Sequence, residues 1–182
     1  FLDLDVTWTV ANNGSVDLAL HAQRNTVFPE LPRFGLRLFL PQEMSQVNYY
    51  GTGPMEGDCD KHHAASHNSY TATVWQLHED YIRPQENGSH FDCDYVMFAG
   101  DAVRLTAVGT QPFSFNASHY TQEELTRKAH NYELEPCSST VLCLDYAQNG
   151  IGSESCGPRL LEQYRLDDAT FNFGLRLFPE KK

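Results

Sequence analysis

No stretch of this 182-residue chain approaches the ~20 consecutive apolar residues that a bilayer-spanning helix needs, so no membrane partner is expected. Basic residues are scarce. Thirteen Lys and Arg stand against 24 Asp and Glu, a formal charge of −11, and no basic run occurs before Lys181-Lys182. Phosphate backbones need a lysine- and arginine-rich surface, which argues against nucleic acid. There is no CxxC, and the cysteines, Cys59, Cys93, Cys137, Cys143 and Cys156, are odd in number. Neither a disulfide framework nor a thiolate zinc site is indicated, and reduced thiols suit a cytoplasmic home. No secretory leader is expected, because Phe1-Leu2-Asp3-Leu4-Asp5 already alternates as a strand does. A chain that opens inside a strand pattern without methionine reads as one domain taken from something longer.

What is present is alternation. Leu4, Val6, Trp8 and Val10 alternate with polar residues, Asn12-Asn13-Gly14 supplies turn chemistry, and Val16, Leu18 and Leu20 alternate again. This is a β-hairpin signature. The strand FGLRLFL follows a proline-bounded link, with Leu36, Leu38 and Leu40 on one face, and its first six residues recur at 173–178. Further β runs are read at Tyr70 to Trp75, Asp92 to Phe98, Val103 to Val108, Thr140 to Tyr146 and Leu160 to Leu166. One helix is expected, from about Thr121 to Ala129. Thr121 and Glu124 form a capping box and Glu124 and Lys128 an i, i+4 ion pair. The pattern predicts an all-β, large antiparallel β-sandwich with that one short helix.

The most informative stretch is NGIGSESCGP, Asn149 to Pro158. Glycines bracket Ser153-Glu154-Ser155-Cys156 between two strand-like runs, so a loop with rigid ends can present Glu154 and Cys156 to a ligand or partner. The plain alternative is a long hairpin connection with solvated side chains. The loop is accompanied in order by LPRFGLRL from Leu31, NYYGTGPMEGDCDK from Asn48, YIRPQENG from Tyr81 and FSFNASHYTQEELTRKAH from Phe113. This ordered set resembles the C-terminal domain of the large bacterial β-galactosidases of glycoside hydrolase family 2, from about Leu31 to the end.

The resemblance implies a supersandwich similar to aldose epimerases and galactose mutarotases, and a supporting role beside a separate catalytic barrel. It implies that the 149–158 loop, with Gly152, Ser153, Glu154, Ser155 and Cys156, reaches the galactoside pocket, and that Gly51, Gly53, Pro54, Glu56 and Glu86 support the same end. The expected partners are that barrel and the other domains, the galactoside and, through subunit contacts, a homo-oligomer. No cofactor is expected on this chain; the family commonly uses Mg and Na in other domains. Some members carry tryptophan where this chain has Cys156, so a stacking role cannot be carried over. Gly57-Asp58-Cys59 replaces a tyrosine-bearing stretch. Lys61 and Asp94 stand where arginine is usual, which puts an ion-pair network of the family in doubt. Pro84 to Gly88 reads as a structural turn. Because the resemblance places further strands before this stretch, an unpaired sheet edge is expected, covered by a loop or by another chain.

Retaining glycoside hydrolysis needs two carboxyl groups ~5 Å apart. Glu56, Asp58, Asp60, Glu86 and Glu154 show no pair, and no catalytic residue is assigned. His62, His63 and His67 crowd with Asp58 and Asp60, but no apolar periodicity holds them on a helix, so a solvated loop is read there and no metal site is assigned. His130 is expected to cap the helix C-terminus. Trp8, Trp75, Tyr49, Tyr50, Tyr70 and Tyr81 could make a sugar-stacking platform, although strand aromatics favour a core position for Trp8 and Trp75. Cys143 is read as a buried thiol, and a Cys137–Cys143 pair is the less favoured alternative. A separate carbohydrate-binding accessory subunit and an epimerase-like enzyme, which would need a glutamate base and a histidine acid, are the competing readings.

Overall fold

A computed structural model describes residues 1–149 and 157–182. Nine antiparallel strands form one sheet: β1 (Leu2–Val10), β2 (Val16–Arg24), β3 (Arg33–Pro41), β4 (Gln46–Gly53), β5 (Ser66–Thr73), β6 (His90–Ala99), β7 (Val103–Ser118), β8 (Ser139–Gln148) and β9 (Thr170–Lys181). The main path runs β1-β2-β9-β7-β6-β4-β5, and β8 leaves it by pairing with both β7 and β3. The sixteen residues of β7 make the junction. Residues 103–109 pair with β9, and residues 114–118 pair with β8. The two arms share one core, in which Leu142 and Leu144 of β8 join Phe98, Phe115, Phe173 and Leu175. This is the sandwich-like, all-β architecture that alternation predicts.

The hairpin at 2–24 is in register from Leu2↔Arg24 to Val10↔Val16, and Gly14 takes φ 83° in its turn. The helix α1 is shorter than expected, Gln122–Arg127. Thr121 accepts from the Glu124 N–H at 3.1 Å, but the Glu124 carboxylate does not close the box. It takes Lys128 at 3.4 Å, Arg127 and the Glu135 N–H instead. His130 does not cap the helix. It lies against Tyr132 and 3.5 Å from Glu133, at the start of the next turn.

Both tryptophans depart from the core positions expected of them, each being 50% exposed. Trp8 projects from the apolar side of β1, an edge strand that pairs only with β2 among the described residues, and stays half exposed. Trp75 lies outside the strand: Thr73 caps a 3-10 turn at Val74–Leu77, and the indole turns outward against His119 and Tyr120. The run from Leu160 also departs from β, forming a 3-10 turn at Glu162–Tyr164. No described residue supplies the loop expected to cover the β1 edge. Tyr49 is buried, whereas Tyr50 is 39% exposed.

Candidate functional site

The segment after β4 is built by close approach. Gly51 faces Cys93 and Gly53 faces the Tyr49 hydroxyl so tightly that a Cβ at either would overlap its neighbour. The Gly53-Pro54 peptide is cis. Glu56 then turns inward, where one carboxylate oxygen accepts from the Gly88 N–H at 2.8 Å and the other from the Tyr81 hydroxyl. Burial and the Glu56 carboxylate both push the Tyr81 phenol upward. Gly88 (φ 71°) ends the Pro84 to Gly88 turn, which the Asn87 side chain ties to the Glu79 N–H. The turn and the 51–56 segment therefore hold each other.

Lys61 lies 3.8 Å from Glu56 and 3.6 Å from Asp58, two long point-charge contacts where a guanidinium fork would make short ones. A different arginine makes the network here. Arg33 donates to Asp145 through Nε (3.0 Å) and Nη2 (2.8 Å), to Asn116 at 2.8 Å, and to Glu86. Burial opposes the Arg33 charge, but Asp145 and Glu86 outweigh it and raise its pKa. Burial pushes Asp145 up to about 6, with Arg33 pulling the other way. Sequence reading missed this centre. Its signal was Asp145 within the apolar run TVLCLDY, since a buried aspartate requires a cation.

Gln148 and Asn149 pin one base of the 149–158 loop. The Gln148 amide donates to Asp58 (2.5 Å) and Ser89 (2.8 Å), and the Cys59 thiol to the Tyr164 carbonyl at 3.5 Å. Asn149 donates to the Leu31 carbonyl (2.7 Å) and accepts from the Leu166 N–H (2.6 Å). On the far side, the buried Leu160 takes a bond from Arg165 through its carbonyl at 2.8 Å. The 51–60 segment, the 84–88 turn and the loop's base thus converge. Gly152, Ser153, Glu154, Ser155 and Cys156 lie outside the described residues.

Four described carboxylates at this end already have partners. Glu56 is held by Tyr81 and Gly88, Glu86 and Asp145 by Arg33, and Asp58 by Gln148 and Ser89. Burial raises the Asp58 pKa against the pull of Lys61. These bonds tie the described segments to one another. The histidines disperse as well. His62 lies parallel to His63 and 3.0 Å from the Asp58 carbonyl, while His67 faces Asp92 and Asp94. Among the described residues no cluster of His, Cys, Asp or Glu is arranged to hold a metal. Cys143 is buried and, like Cys137, a free thiol, so the two do not pair.

These features belong to an all-β module whose described connections are tied together at one end, and the comparisons with known proteins say of which family. The β-galactosidase small-chain family model matches residues 2–177, and the chain belongs to that family. It is 46% identical over 180 residues to a β-galactosidase of Actinobacillus pleuropneumoniae, covering 99% of this chain and 18% of that protein. It is 42% identical over 172 residues to one of Staphylococcus xylosus, covering 94% and 17%, and 32% identical over 169 residues to one of Arthrobacter sp. (strain B7), covering 89% and 16%. The chain therefore spans less than a fifth of the length of these relatives.

Proposed function

We propose that this chain is the non-catalytic C-terminal portion of a cytoplasmic β-galactosidase, an enzyme that hydrolyses terminal β-D-galactosides with retention. Its 149–158 loop shapes the substrate pocket, and the sandwich supports contacts with the barrel, other domains or subunits. The observation that carries this reading is the family match along residues 2–177, to proteins more than five times longer. The apolar side of β1 supports the docking role. Leu4, Val6, Trp8 and Val10 are 45 to 72% exposed, and they continue the core face of β2. Such a stripe on a sheet edge marks an interaction surface. The pinned base at Gln148, Asn149 and Leu160 supports the loop's role, because rigid ends let glycines present a tip with defined geometry.

A galactosidase polypeptide containing this region provides the test. Cys156→Ala should shift KM for a chromogenic galactoside while leaving the unfolding temperature unchanged, and the 182-residue chain alone should not turn it over. An unaltered KM, or turnover by the purified chain that Glu56→Gln abolishes, would overturn the reading.

A further inference from the structure

Beside the base of the loop, described residues line a cavity of about 260 Å³. Two of its lining side chains, Ser114 and Gln148, are each only 6% exposed. Gln148 spends its amide nitrogen on Asp58 and Ser89, and no described residue donates to its side-chain oxygen. No described residue pairs with the Ser114 hydroxyl either. Neither atom is sealed from solvent, so both keep hydrogen-bonding capacity for a molecule that enters the cavity. Tyr146 and Tyr164 line the same space. Tyr146 is packed parallel to Phe171 at 4.6 Å and donates to Asp168 at 3.3 Å, whereas the Tyr164 ring has no aromatic partner among the described residues.

The charges decide what kind of molecule fits. Arg165 and Asp168 line the cavity together, one of each sign. A phosphate would meet the aspartate and an amine the arginine, so a neutral ligand is favoured. An unpaired hydroxyl, an amide oxygen and partly exposed phenol rings suit a compact molecule with hydroxyl edges and a C–H face. The volume is below the ~300–1,000 Å³ of sites for drug-sized ligands, which limits the occupant to a single ring. From this cavity we infer a second saccharide site, built from residues outside 149–158, that takes one neutral pyranose through Ser114, Gln148 and the Tyr164 ring. It stands without the pocket role proposed for the loop.

Saturation-transfer NMR on the 182-residue chain tests it, with galactose as probe, glycerol as a control for unspecific hydration, and a thermal melt to show folding. Galactose should receive transfer and glycerol should not. Ser114→Ala should weaken galactose binding roughly fivefold through one lost hydrogen bond. Tyr164→Ala should do so by roughly fivefold or more. The loop variant Glu154→Ala/Cys156→Ala should bind as the parent chain does. A folded chain that ignores galactose, equal transfer to glycerol, or cavity variants that bind unchanged would overturn the site. Loss of binding in the loop variant alone would overturn it too, by assigning the sugar to the loop.

Discussion

The hexapeptide FGLRLF occurs twice, at 34–39 in β3 and at 173–178 in β9, and the two copies have different surroundings. In β9, which has β2 on one side and β7 on the other, Phe173, Leu175 and Leu177 are 1, 1 and 8% exposed. In β3, which pairs only with β8 among the described residues, the matching Phe34, Leu36 and Leu38 are half-buried. Both copies turn the same three side chains inward. Local sequence therefore sets strand and face, while the number of flanking strands sets how much water is removed. Two identical stretches should consequently contribute unequally to stability.

Matched truncations give the largest expected difference. Leu175→Ala should cost about 2–5 kcal/mol, as for a fully buried leucine whose site cannot collapse. Leu36→Ala removes the same atoms from a half-buried position and should cost about 1 kcal/mol. Urea denaturation of the two variants measures this, and equal losses would break the comparison.

The glycines of the two copies sharpen it. A Cβ on Gly35 would overlap the Leu144 carbonyl and the Asp145 side chain and backbone, beside the bulge at Phe34/Gly35. A Cβ on Gly174 would overlap only the side chain of Thr110. Gly35→Ala should therefore cost about 1–3 kcal/mol, since backbone must shift at the Arg33–Asp145 contact. Gly174→Ala should be relieved by Thr110→Ala, which leaves room for the new methyl. Failure of that rescue, by thermal melting of the double variant, would show that the central strand resists for another reason.

The same distinction explains what the sequence could show. The hairpin at 2–24 was legible because alternation and Asn-Gly turn chemistry are local, and so was the Thr121 cap. Trp8 was misread because alternation gives a face but not whether anything lies over it, which depends on neighbouring strands. Trp75 was misread because Thr73, β-branched and apparently mid-strand, instead caps a turn. The Arg33 network joins four segments that meet only in the fold, although Asp145 in an apolar strand was a visible anomaly. The end formed by Glu56, Glu86 and Gln148 was legible only as resemblance, since each motif alone is an ordinary turn.

Acid should act at the centre of the sheet before its edges. His90 of β6 packs on Tyr49 and Phe115, and burial lowers its pKa from 6.5 to about 4, against the pull of the Thr52 carbonyl and Glu56. The unfolded chain thus takes up this proton first. Stability from His90 is complete above pH 6.5 and is lost as pH falls toward 4. By pH 5 the loss should reach about 2 kcal/mol. His90→Phe removes the titration, so denaturation at pH 7 and pH 5 should show a smaller loss for the variant. Parallel losses would place the acid sensitivity elsewhere.

The smallest effect concerns the arginines of the two copies. Arg176 bonds Asp17 across β9 and β2 at 2.5 and 2.8 Å, yet both groups are in open solvent, and exposed pairs of this kind hold little net stability. Arg37 bonds Gln122 and Glu123, both at 2.9 Å, in the first turn of α1, and its guanidinium lies 5.3 Å from the Phe39 ring centroid. It therefore ties the edge strand to the only α-helix among the described residues, and its contact with the ring survives salt better than a charge pair does. Arg37→Met should lower the denaturation midpoint more than Arg176→Met, the reverse of the order that the leucines give. At ~1 M salt, where the Debye length is about 3 Å, the Arg176 effect should vanish while part of the Arg37 effect persists. If Arg176→Met proves the more damaging at high salt, the central copy is held by its charge as well as its packing, and the division between edge and centre is drawn wrongly.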